Sequence, residues 1–324
     1  GLVPGLHSSP GMHSEAGPIQ LRLQDELTLR TAYALCALVR EQLDAGGEAL
    51  VLNLDDIKTV DVVGVAALFQ CVRRAARRNV ALSIVPSVAL HRALLDATLL
   101  DDVPLAADPA EAAPSPFTTP LVDRRRVVTR PVATAGAIAL RRPTWEELPL
   151  FERWAAEPLL EQMVGSQLLY RCRHLGAYHP EVVAAILHDA TALTLLVEPI
   201  DGAAAPVGFV RLFNIHLPEA FAFLETVVAS PAAIRRGWGI TASRLLLAYA
   251  MDVLEIRRVE AKVYAYNVLS INSLTRNGFI EEGVLRRAKT LDGQQWDIVV
   301  FSILEEELRA QREGESFPYM GFWR

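Results

Sequence analysis

At 324 residues, with 51% hydrophobic and 22% charged side chains, the chain has apolar material for about two domains, each with its own core. A formal net charge of -6 excludes the broad basic field that generic nucleic-acid binding needs, while allowing an acidic ligand at one local basic site. The three scattered cysteines (Cys36, Cys71, Cys172) make neither a disulfide framework nor a metal knuckle, and no apolar run approaches a membrane span, so the expected setting is cytoplasmic, with no metal, nucleic-acid or membrane partner.

Residues 1–17 lack the basic start and apolar stretch of a secretory signal and read as a disordered leader or cloning remnant, with Met12 a candidate start. A first domain is expected over 18–108. Residues 19–23 alternate apolar and polar, 29–43 have helical spacing closed by Gly46-Gly47, and 49–54 form a short apolar run that suits a buried strand. Asp61 stands where a helix N-cap belongs, before Val65, Leu68, Phe69, Val72 and Ala76 at helical spacing. Residues 80–85 read as another buried strand, and Ser87 caps a helix through Asp96. Strand and helix alternating on this scale predict a small α/β layer, a mixed sheet with helices on it.

Residues 109–137 are rich in proline and alanine, with little periodicity, and read as a semi-rigid linker whose Arg124-Arg125-Arg126 run is a solvated patch. A second domain is expected over 138–312, followed by a tail, 313–324. Residues 137–140 suit a strand, and Thr144 with Glu147 makes a capping-box-like helix start. Residues 193–197, 207–213 and 221–228 read as three successive strands, the last two joined around 214–219. A long amphipathic helix, a strand over 259–266, another helix and a closing strand near 297–304 follow. This is an α+β pattern: a mixed, mostly antiparallel sheet flanked by helices.

The most informative stretch is Arg235-Arg236-Gly237-Trp238-Gly239-Ile240-Thr241, which leaves a strand and enters the long helix. Glycines permit close backbone approach, the first amides of a helix lack partners at the positive end of its dipole, and two arginines add charge-assisted contacts. A pyrophosphate suits such a place, although a plain strand-to-helix turn would use the same residues. The run from Arg235 onward resembles the core of the GNAT acetyltransferase superfamily. There a loop Q/R-x-x-G-x-G/A wraps the coenzyme A pyrophosphate. Arg236 and Gly239 match its first and fourth positions, and Thr241 stands where Gly or Ala is usual. A second match is Asn267-Val268-Leu269-Ser270, then Asn277-Gly278-Phe279 and Glu282-Gly283. The resemblance implies that Asn267 and Ser270 contact the donor, that Arg235 to Thr241 hold its phosphates, and that amides near Val227 and Val228 hold the acyl carbonyl. Its ending is similar to the branch that acetylates protein N-termini, polyamines and small aminated metabolites.

Acylating an amine requires a neutral amine, a polarised thioester carbonyl and a stabilised leaving thiolate. An alkyl amine with a pKa near 10.4 needs a base or water relay at neutral pH. In the family the base lies on or beside the fourth strand. Glu225, in the apolar run Phe221 to Val228, is the first candidate, because burial raises a carboxyl's pKa; an outward or arginine-paired Glu225 is the other reading. His216, in the preceding hairpin, is the rival base or a solvent-facing loop residue. The family's frequent acid, a tyrosine before the Gly-Phe, is replaced by Leu274. Ser270 is a substitute acid, or else an N-cap for residues 271–276.

The first domain resembles the STAS module of sulfate transporters and anti-sigma factor antagonists, on the run LVLNLDDIKTVDVVGVAALFQCVRRAARRNVALSIV. In that family the second serine of an Asp-Ser-Ser-Gly-like turn is phosphorylated by a partner kinase. Here the turn is Asp61-Val62-Val63-Gly64, and Val63 has no hydroxyl to phosphorylate. The helix beyond it carries Arg73, Arg74, Arg77 and Arg78, either a solvated face or a docking patch for a protein or carrier protein. The leading expectation is an N-acyltransferase using acetyl-CoA or another acyl-CoA on an amine, with STAS as docking or regulatory module; a homodimer is compatible with it. The alternatives are a catalytically weak acyl-CoA-binding regulator and an acyltransferase that takes its acyl group from a carrier protein.

Overall fold

The computed structural model describes residues 18–106, 131–201, 204–313 and 321–323. The leader 1–17 and the Arg124-Arg125-Arg126 run lie outside the described residues.

The first domain runs β1 (Ile19–Leu27), α1 (Ala32–Asp44), β2 (Ala49–Val60), α2 (Val62–Arg77), β3 (Ala81–Pro86) and α3 (Val88–Asp96). Its three strands are ordered β1-β2-β3 and all pair in parallel, where a mixed sheet was expected; each connection is a helical crossover, which returns the chain in the same direction. β2 continues six residues beyond the apolar run. Asp56, Ile57, Thr59 and Val60 pair with residues 24–27 of β1 through two register shifts, one on each side of the Gln24–Asp25 pair, where Asp25 takes φ +71°. Asp61 caps α2, accepting Gly64 N–H at 2.9 Å, and Ser87 caps α3, accepting Leu90 N–H at 3.0 Å. Leu23, Leu27, Leu35, Leu52, Leu54 and Leu68 are wholly buried, each worth about 1.5–3 kcal/mol of transfer from water. Gly64 is required by space: a Cβ there would stand 2.1 Å from the Leu27 carbonyl oxygen.

The second domain is built on an eight-stranded sheet, ordered β10-β11-β9-β8-β7-β6-β5-β4. Its strands are β4 (Ala133–Ala135), β5 (Ile138–Arg141), β6 (Leu193–Pro199), β7 (Gly208–His216), β8 (Phe221–Val228), β9 (Arg258–Tyr264), β10 (Ile280–Leu291) and β11 (Gln294–Leu304). Only the β8–β9 pair is parallel. β4 lies inside the span read as linker and forms a hairpin with β5. One face of the sheet carries α4 (Leu148–Ala155), α5 (Pro158–Met163), α6 (Gln167–Leu175) and α7 (Pro180–Leu187), entered through the Thr144–Glu147 capping box. A short α8 (Pro231–Arg235) precedes α9 (Trp238–Asp252), which packs on β7 and β8; α10 (Val268–Arg276) and α11 (Glu305–Gln311) complete the domain. No described helix is long and apolar enough to cross a membrane.

The two domains are packed together. Buried Gln70 donates to the Val253 carbonyl at 2.8 Å, and Arg73 ion-pairs with Glu255. Arg74 and Arg40 lie over the Trp323 ring, and Arg40 also donates to the Phe322 carbonyl at 3.0 Å. Phe322 is buried, edge-on to Tyr33. The arginine row of α2 therefore docks in part on its own chain, and residues 321–323, read as tail, close against the first domain. Arg78 turns back to Asp44 and the Leu43 carbonyl.

Candidate active site

β8 and β9 pair only through Phe221–Phe223 and residues 258–260, then part. β8 continues paired to β7 as far as Val228, so its β9-facing edge is open from Leu224 onward. The gap leads into a cleft of about 840 Å³ that reaches from Glu225 and Arg211 to Gly237, Gly239 and Ser270.

Strand periodicity sorts the cleft wall. Leu224, Thr226 and Val228 face α9, while Phe223, Glu225 and Val227 face α4 to α7. Thr194 of β6, Arg211 of β7 and Glu225 of β8 are direct cross-strand partners, making one polar row across three strands. The next row, Leu196, Phe209 and Val227, is wholly apolar and fully buried. Arg211 donates its Nε–H to Thr194 Oγ1 at 3.1 Å. Ser166, which caps α6, donates its hydroxyl to Glu225 Oε1 at 3.0 Å. Burial pushes the Glu225 carboxyl above its ordinary value, opposed by the Arg211 charge and the Ser166 hydrogen bond. Burial lowers the Arg211 value, with Glu225 and then Asp189 supporting its charge.

At the other end, Gly237 takes φ +72° to start α9, a conformation open to glycine. The first bond of the helix is Thr241 N–H to the Gly237 carbonyl at 3.1 Å, which leaves the amides of Trp238, Gly239 and Ile240 without a helical acceptor. Gly239 packs on β8: a Cβ there would stand 3.1 Å from Val228 Cγ2 and 3.7 Å from Thr226 Cγ2. Ser243 fixes this turn, donating to the Gly239 carbonyl at 2.8 Å and sharing a 2.6 Å bond with Thr226 Oγ1. Arg235 and Arg236 are exposed and pair with no carboxylate among the described residues; the Arg236 guanidinium lies over the Trp238 ring. A helix start with three unused amides, no side chain at Gly239 and two unpaired arginines fits a pyrophosphate.

The other expected residues divide. Val228 lines the cleft, while the Val227 side chain turns into the core under α4 and α6. Thr241 directs its hydroxyl to the Gly237 carbonyl at 3.3 Å and does not reach the cleft. Asn267 spends its amide inside the protein: Oδ1 caps α10 by accepting Ser270 N–H at 3.2 Å, and Nδ2 donates to the Met163 carbonyl at 3.0 Å. The cap of α10 is thus Asn267, not Ser270, whose hydroxyl has no protein partner among the described residues and lines the cleft. His216 lies outside the cleft lining; its Nδ1 accepts Glu219 N–H at 3.1 Å and its ring stacks on Phe221. Leu274 is buried in the cleft wall. Among the described residues no cluster of His, Cys, Asp and Glu could hold a metal.

An arginine partner for Glu225 was one of the two readings, and Arg211 fills it; Thr194, the Ser166 hydroxyl and the Ser243–Thr226 lock were not foreseen. An arginine two positions from each of Phe209 and Phe213 was the one sequence sign of the row.

Comparison with known proteins finds a match for each half. Residues 10–112 match the family model of the STAS domain, and residues 137–280 match that of the acetyltransferase (GNAT) domain. Mouse alpha/beta-tubulin-N-acetyltransferase 9 is 25% identical over 186 residues, covering 53% of this chain and 77% of its own length. The uncharacterized N-acetyltransferase p20 of Bacillus licheniformis is 35% identical over 72 residues, 22% of this chain and 40% of its own. Among solved structures, spermidine N-acetyltransferase from Vibrio cholerae, in complex with CoA and spermine, covers 53% of this chain and 98% of its own at 18% identity, with a TM-score of 0.46.

Proposed function

We propose that this chain, a STAS domain joined to an acyl-CoA-dependent N-acetyltransferase of the GNAT kind, moves an acetyl or other short acyl group onto a primary amine of a small metabolite or protein, with Glu225 taking the amine proton. The observation that carries this reading is the position of Glu225 on the open edge of β8, hydrogen-bonded by Ser166 and opposite Arg211.

Coenzyme A supplies the thioester. The α9 start, with Gly239 and the arginines, is the place for its phosphates, and the open β8 edge near Val227 and Val228 offers amides to the acyl carbonyl. A protonated alkyl amine must lose a proton before it can attack. Burial makes this carboxylate a stronger base than one in water, while the Arg211 charge and the Ser166 hydrogen bond favour its ionised form. Ser270 lines the cleft, which supports its reading as the donor to the departing thiolate. The acceptor enters from the side of α5 and α6, where Leu159, Met163, Arg171 and Phe213 line the cleft. The amine class is supported by the mouse relative, an N-acetyltransferase by name.

Calorimetry with acetyl-CoA, followed by thiol release against a panel of monoamines, polyamines and peptides with free N-termini, tests the reading. Glu225→Gln is expected to keep donor affinity and to cut turnover about 10²- to 10⁴-fold, the usual weight of a positioned base. Turnover at the native level would give the proton to water instead.

A further inference from the structure

The start of α2 is closed by the acetyltransferase domain. Val62 and Val63 are wholly buried, and the Val62 N–H donates to the Asp189 carbonyl at 3.0 Å. Arg142 ties the same corner, pairing with Asp61 Oδ2 at 3.4 Å and donating to the Leu187 carbonyl at 2.8 Å. Residues 187–189 are thus tied to the STAS domain directly, by the Val62 amide, and indirectly, through Arg142, which bridges the Leu187 carbonyl to Asp61.

The other side of this loop belongs to the cleft. Asp189 lines it, with Oδ1 accepting both the amide and the hydroxyl of Thr191 at 2.8 and 3.0 Å. Its charge supports Arg211, the cross-strand partner of Glu225. From the domain boundary to the carboxylate there are only two intermediates, Asp189 and Arg211. We propose that the STAS domain acts within the chain as a positioning element of the acetyltransferase site, holding residues 187–191, and through Asp189 and Arg211 the Glu225 carboxylate, in working geometry. The inference rests on the reading of Glu225 as the base.

The charged and titratable groups involved are few. Arg211 and the Ser166 hydroxyl face Glu225; Asp189 and, with like charge, Arg171 act on Arg211. At the joint stand Glu26, Asp61, Arg142 and His188. When Asp189 withdraws, Arg211 is left to Glu225 alone and holds it more firmly ionised, so the acid limb of the rate profile moves to lower pH.

The joint can be cut at one hydrogen bond. Val62 is the first residue of α2, where proline is tolerated, and Asp61 before it is extended at φ -123° and ψ 174°, as a residue preceding proline must be. Val62→Pro removes the N–H and presses a Cδ on the Asp189 carbonyl, leaving the helix intact. Arg142→Ala cuts the second tether and serves if the proline variant does not fold. In the full-length chain, both are expected to keep acetyl-CoA affinity within about twofold. They should lower kcat by about tenfold, shift the acid limb downward, and speed amide exchange at 187–191. Asp189→Asn, which removes the charge and keeps the backbone, should shift the limb in the same direction. Unchanged exchange in a folded Val62→Pro protein would overturn the tether, and faster exchange with native kcat and limb would overturn the coupling. Native turnover in Glu225→Gln would overturn the base reading instead, while the exchange result still decides the tether.

Discussion

Replacing Gly239 by valine tests the donor site most directly. A Cβ at this position would lie 3.1 Å from Val228 Cγ2, inside the ~3.5–4.0 Å optimum for carbon pairs, and 3.7 Å from Thr226 Cγ2. Two further methyl groups have to go toward β8, which would push the α9 start off the strand, or into the space before the helix. The Ser243 hydroxyl, tied to both the Gly239 carbonyl and Thr226, resists that movement, so the valine side chain is left to occupy the cradle. If two charge-assisted amide contacts to phosphate are lost at ~1.5–3 kcal/mol each, the total of about 3–6 kcal/mol corresponds to roughly 10²- to 10⁴-fold in Kd. The fold should survive, because ~1–3 kcal/mol of overpacking is partly offset by ~1 kcal/mol for removing a glycine from a helical turn. Gly239→Ala, which asks Val228 to give only a few tenths of an ångström, should fall about tenfold or less. Calorimetry with acetyl-CoA, alongside thermal unfolding of each variant, reads both effects. A folded valine variant that binds within about threefold of the native protein would refute the placement of the pyrophosphate.

Three further outcomes follow from the same geometry. Ser166→Ala removes a donor from the Glu225 carboxylate, so the ionised form loses support and the acid limb of kcat against pH should move upward; a limb that stays put would mean that Glu225 is not the titrating base. Ser270→Ala should cut kcat by about tenfold while leaving the melting temperature unchanged, because the cap of α10 is Asn267; loss of stability without loss of rate would make the serine structural. The buried thiols of Cys36, Cys71 and Cys172 should resist iodoacetamide at pH 8 in the folded protein and react in denaturant, since burial pushes Cys71 well up and, with Glu152, raises Cys172 to about 11; rapid native labelling would contradict their burial.

What could be read beforehand was whatever announces itself locally. Asp61 and Ser87 as caps, the Thr144–Glu147 box and the glycine start of α9 depend on residues within a few positions of one another, and each stands in place. The second half of β2 was missed because Asp55, Asp56 and Lys58 are poor strand residues on their own; pairing with β1 holds this stretch. β10 carries mostly exposed side chains, so its sequence has no buried face to betray it, and β4 is too short to show a period. The polar row of Thr194, Arg211 and Glu225 is a property of register. Glu225 could be singled out as a carboxylate in an apolar strand, but its partners are 14 and 31 positions away and meet only when β6, β7 and β8 align.

The valines at the start of α2 now have a physical role. Gly64 must press against the Leu27 carbonyl, and Asp61 must cap the helix and accept the Leu29 amide, so both residues follow from local packing. Between them a side chain that carried a hydroxyl, still more a phosphate, would be buried without exposure to water, and an unpaired polar group there costs free energy. Valine satisfies that environment, and the one polar atom left at Val62, its amide, is taken by the Asp189 carbonyl. A turn that elsewhere would be open to modification is thus a seat for the neighbouring domain. On this reading the buried valines and the packing of the two domains belong together, and the STAS half acts on the transfer reaction by how firmly it holds residues 187–191.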